Sequence, residues 1–104
     1  MEGYVGYKTV WLKEDQTKID PKYFKVIRIT DTYCEAMSLN TKHCWIIHKG
    51  SSGKRTIILY HKHSQEQPYY HKHWETTSVD KDVDSIRGHD NYVLKFVLLG
   101  IYLR

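Results

Sequence analysis

Six of the seven histidines lie between His43 and His73, and the tripeptide His-Lys-His occurs twice, at 61–63 and 71–73. Imidazole can ligate a transition metal, move a proton near neutral pH, or stand as a plain polar group on a half-exposed sheet. Two His-x-His pairs on facing strands offer three or four nitrogens to zinc or nickel, which makes His61, His63, His71 and His73 the candidate ligands. No Cys-x-x-Cys, His-Glu-x-x-His or matched carboxylate accompanies them. The balance is therefore against a resident metal, and no cofactor is expected. Ribonuclease-type chemistry would use His61 and His71 as base and acid, with Lys62 or Lys72 facing the phosphorane. No catalytic signature surrounds them, so the chain reads as non-enzymatic on balance.

The broader expectation is a nucleic-acid surface. Lys42, Lys49, Lys54, Arg55, Lys62 and Lys72 oppose only Glu66 and Glu75 between positions 42 and 75, a local excess of four that equals the net charge of the whole chain. Trp45, Tyr60, Tyr69, Tyr70 and Trp74 are interleaved with them. Cations that neutralise phosphate and aromatic faces that stack on bases are the two needs of a single-strand or RNA surface. The expected contact residues are Lys49, Lys54, Arg55, Tyr60, Lys62, Tyr70, Lys72 and Trp74. Cys34 and Cys44 are too few for a disulfide framework, and Cys44 in the apolar "HCWIIH" reads as a buried free thiol. His89, in "RGHDNY", reads as a partner for helix-end carbonyls or for Asp90.

These residues need elements to hold them. The chain has 104 residues, 40% of them hydrophobic and 27% charged, and reads as a single domain over 1–104. Residues 3–12 read as a strand, "KEDQTK" as a polar turn, and 20–29 as a strand after an ambiguous Asp-Pro start. Residues 30–42 read as irregular or as a short helical segment. Residues 43–74 read as a three-stranded antiparallel meander, its first turn in "GSSG" and its second in "SQEQP". Ser78 or Thr77 caps a helix over 78–88. Val79, Val83 and Ile86 form its buried stripe, and Gly88 forms its stop. "NYVLKFVLLGIYLR" reads as a buried C-terminal strand. The fold class is α+β: an antiparallel sheet of about five or six strands with one helix on one face.

Strand alternation splits each His-Lys-His. His61 and His63 share a face with Ile57 and Leu59, while Lys62 lies opposite with Ile58 and Tyr60. Likewise Lys72 shares a face with Tyr70 and Trp74. Register decides the rest. A turn centred on Glu66 sets His61 across from His71 and gathers four histidines on one face. A centre between Gln65 and Glu66 alternates histidine and lysine.

No signal-peptide pattern or membrane-length apolar run is evident, so a cytoplasmic protein is expected, with no membrane partner. The reading is a small basic nucleic-acid- or nucleoprotein-binding module. The alternative is a protein-binding inhibitor or regulator of the kind viruses and mobile elements encode, with a homodimer formed through the C-terminal strand.

Overall fold

The computed structural model describes residues 10–49 and 56–98. In chain order the elements are α1 (Lys13–Gln16), β1 (Phe24–Ile29), β2 (Tyr33–Ser38), β3 (Cys44–Lys49), β4 (Ile57–Lys62), β5 (His71–Thr76) and α2 (Val79–Leu98). The five strands form one antiparallel sheet in the order β1-β2-β3-β4-β5. The expected meander is therefore its β3-β4-β5 half, and α2 packs against β4 and β5. Among the described residues, no helix is long and apolar enough to cross a membrane.

Alternation sets the two faces. Cys34, Ala36, Trp45, Ile47, Ile57 and Leu59 are buried and join Val79, Val83 and Ile86 of α2 in one core, with Trp11, Ile19 and Phe24 closing its other end. The opposite face carries Tyr33, Glu35, Ile46, His48, Ile58 and Tyr60, all half-buried. Among the described residues no helix lies on it.

Three expectations are corrected. Residues 33–38 form β2 rather than irregular chain. "YCEAMS" has a modest strand propensity, but the segment is paired on both sides, and such tertiary pairing overrides local preference. The polar turn at 13–18 contains the single helical turn α1. Most importantly, the helix does not stop at Gly88 and no C-terminal strand follows: 79–98 is one helix of 20 residues. Gly88 is exposed, and nothing lies within 4 Å of where a Cβ would stand. A mid-helix glycine costs about 1 kcal/mol against alanine and does not force an end. The buried stripe runs on from Val79, Val83 and Ile86 through Asp90 to Val93. A carboxylate at the fourth position hides that continuation from an apolar pattern. The expected dimer contact therefore has no strand at 91–98 to use, while 99–104 lies outside the described residues. So do most of the expected first strand and the "GSSG" turn; residues 10–12 are not strand.

Candidate functional site

The register of β4 and β5 pairs His61 with His71, as a turn centred on Glu66 requires. A bulge between Leu59 and Tyr60 then breaks the simple alternation. Tyr60 faces Lys72, whereas Leu59 faces Trp74. A bulge places two residues against one. Here it parts Lys72 from Trp74, which were expected on one face, and leaves His73 unpaired.

The Lys–aromatic side of β4 is the side away from the core. Lys62 Nζ stands 4.7 Å over the Tyr70 ring and donates to the carbonyls of Gln65 (3.3 Å) and Gln67 (3.0 Å), which fixes the β4–β5 turn. The Tyr70 hydroxyl donates to Glu35 Oε2 at 2.7 Å. Burial, then that bond, pushes its pKa up, so it stays a neutral phenol. The Tyr33 and His48 rings stack at 6.3 Å between centroids. Arg28 Nε lies 3.7 Å from Glu35 Oε1, with its side chain 63% exposed. Tyr69 is exposed just before β5, and Trp74, across from Leu59 in the register, is exposed within it. This face is thus a band of four rings, Tyr33, His48, Tyr60 and Tyr70, flanked by Arg28 and Lys62.

The other expected contact residues are placed differently. Lys49 is buried on the core side, its Nζ 2.8 Å from Asp15 Oδ2, so it ties α1 to β3. Lys72 pairs with Glu75 at the surface. Lys54 and Arg55 lie outside the described residues. Sequence reasoning missed Tyr33, because β2 was not read as a strand, and with it the neighbours that Tyr33 and Glu35 provide for His48 and Arg28. Once β2 is so read, Tyr33 falls opposite His48 and Glu35 opposite Ile46.

The histidine side faces the core. Three elements build a cluster there. The turn after β2 brings in His43: Lys42 takes φ 68°, and Ser38 N donates to His43 O at 2.9 Å. His61 lies across from Trp45 in β4, and α2 supplies His89. His43 Nδ1 and His61 Nε2 share a hydrogen bond of 2.9 Å. Ring centroids lie 5.0 Å apart for His43–His89 and 4.7 Å for His61–His89. His63 reaches His43 and His61, and His73 reaches His61 and His89. Fully buried Trp45 forms the wall, with its ring 4.2 Å from that of His61 and its Nε1 donating to Ser38 Oγ at 3.0 Å. Burial, then the neighbouring imidazoles, lowers His43 to about 4 and His61 to about 3. Both are neutral at pH 7. His61 is buried within the cluster, whereas His71, its cross-strand neighbour, is exposed and makes no ring contact with the cluster among the described residues.

Of the four expected metal candidates, His61, His63 and His73 meet and His71 does not. His43 and His89 replace it. His43 was legible as the residue two before Trp45 on the same strand side. His89 was hidden by the assumed helix stop. Beside them lies Asp90, fully buried. Its Oδ2 accepts from the Tyr23 hydroxyl at 2.6 Å and its Oδ1 from Thr41 Oγ1 at 2.9 Å, with His89 Nδ1 at 3.5 Å. These bonds outweigh burial and hold its carboxyl below the usual range. No family model matches the chain, and no curated protein or solved structure matches it significantly.

Proposed function

We propose that the protein binds single-stranded nucleic acid on the face of the sheet that α2 leaves open, and does so without catalysis. The observation that carries this reading is the orientation of the meander. Its histidine side is packed on the core, and its Lys–aromatic side faces outward. Tyr33, His48, Tyr60 and Tyr70 supply ring faces for bases, each worth about 1–3 kcal/mol when stacked. Arg28 and Lys62 supply charge for phosphate. The surface pair Lys72–Glu75 is exposed, and such pairs are worth about 0–1 kcal/mol, so it yields readily to a phosphate.

The test is fluorescence anisotropy of a labelled 12-nucleotide RNA against a salt series. Binding should weaken steeply with salt, because phosphate contacts release counterions. Tyr60→Ala should weaken it by about 10-fold, as loss of one stacked base predicts. Arg28→Glu should act similarly, whereas Lys81→Glu on the exposed side of α2 should have little effect. Salt-independent binding, or equal losses in Lys81→Glu and Arg28→Glu, would overturn the reading.

A further inference from the structure

We propose that His43, His61 and His89 form a binding site for one zinc-class divalent ion, on the covered face of the sheet and independent of the open-face surface. One nitrogen from each of the three residues lies within 4.8 Å of the other two, and the shortest separation is 2.9 Å. Zinc–imidazole bonds of about 2.0–2.1 Å at tetrahedral angles need ligand nitrogens about 3.3 Å apart. The observed spacings bracket that value. An ion would take the two nitrogens that now share a hydrogen bond, with modest ring shifts, and the ring that donates would carry its proton on its other nitrogen instead.

Three further observations fit an ion better than a hydrogen-bonded cluster. His89 Nδ1 is buried without a hydrogen bond, and Asp90 Oδ1 stands 3.5 Å from it. Buried ring nitrogens are normally satisfied, and an ion on the other nitrogen of this ring would draw Nδ1–H toward that carboxylate. Next, Asp90 brings an anionic carboxylate, fully buried, to the side of His89. Carboxylates behind ligand histidines orient the ring and balance the ion's charge. Finally, the ligands come from the turn before β3, from β4 and from α2. The site exists only in the folded chain, and closing it clamps the helix to the sheet. Imidazole donors suit zinc, copper and nickel over calcium or magnesium. Three protein ligands leave one position, and the exposed His63 and His73 lie against the cluster.

The experiment uses untagged protein, with zinc chloride as the probe in calorimetry and cobalt(II) chloride in absorption spectroscopy. One saturable zinc site per chain is expected, together with the visible bands of tetrahedral cobalt. His89→Ala should weaken zinc binding by at least about 100-fold, the upper range for loss of even an outer-shell partner. Alanine at buried His43 or His61 endangers folding. The half-buried His89 therefore also carries His89→Gln, which should keep the parent's circular dichroism in chelator while losing the site. His71→Ala should bind zinc as the parent does. Absence of a saturable site in the parent, or equal losses in His71→Ala and His89→Gln, would overturn the proposal.

Discussion

The two faces of this sheet are built from the same strands, residue by residue, yet they follow different rules. On the covered face the polar groups are enclosed: Trp45 bonds Ser38, Lys49 bonds Asp15, and the histidines meet one another. A change there leaves a cavity or an orphaned charge. On the open face Tyr33, His48, Tyr60 and Arg28 keep one side in water, and a change removes area that a partner can use. Alternation alone does not make this difference. It comes from α2, which packs the stripe Val79, Val83 and Ile86 into the core on one side of β4 and β5.

The contrast can be broken by substitution. Trp45→Ala empties the centre of the covered face and should cost about 3–5 kcal/mol in urea unfolding; a loss below about 1 kcal/mol would show that the cluster is not packed as described. Lys49→Ala leaves Asp15 buried without its cation and should cost about 3 kcal/mol, since breaking a buried pair strands one charge. Asp82→Asn works in the opposite direction. Burial lifts the Asp82 carboxyl to about 7, its Oδ1 takes the Thr76 hydroxyl at 2.6 Å, and its Oδ2 has no partner. The unfolded value is about 3.9. The folded state therefore holds the proton more tightly, and this contribution is full below about pH 4 and lost as pH rises toward 7. Asp82→Asn should remove that decline and stabilise the protein at pH 8 by on the order of a few kcal/mol, read from unfolding midpoints between pH 4 and 8. Gly88→Ala has open space for its methyl group and should raise stability by up to about 1 kcal/mol, with helical content unchanged or higher. Smallest of all, Arg28→Ala should stay within about 0.5 kcal/mol of the parent in stability. If it also leaves RNA binding intact, the open face loses its assigned part.

The meander was the most legible part of the chain. Apolar alternation in β3 and β4 and the turn at "SQEQP" foretold the pairing and the split of the first His-Lys-His, and the pairing of His61 with His71 followed from one of two registers. What escaped was set by contacts distant in sequence. "YCEAMS" becomes a strand because two neighbours pair with it. Residues 91–98 have strand-like composition but stay helical, because Asp90 and Val93 continue the buried stripe begun at Val79. The bulge at Leu59/Tyr60 leaves no mark in residue types. His89 was visible as a histidine beside an aspartate, but only a helix running through Gly88 brings it to His61.

The strand order has a kinetic consequence. Each strand hydrogen-bonds only to strands adjacent in sequence, so the sheet can zip hairpin by hairpin with small loops to close. The bonds from Asp90 to Thr41 and Tyr23 reach across 49 and 67 positions. Closing them spans more chain than pairing any two neighbouring strands, so these contacts carry a larger loop-closure cost than the hairpins do. The five-histidine cluster thus rests on the long-range half of the fold, where the open face rests on the local half.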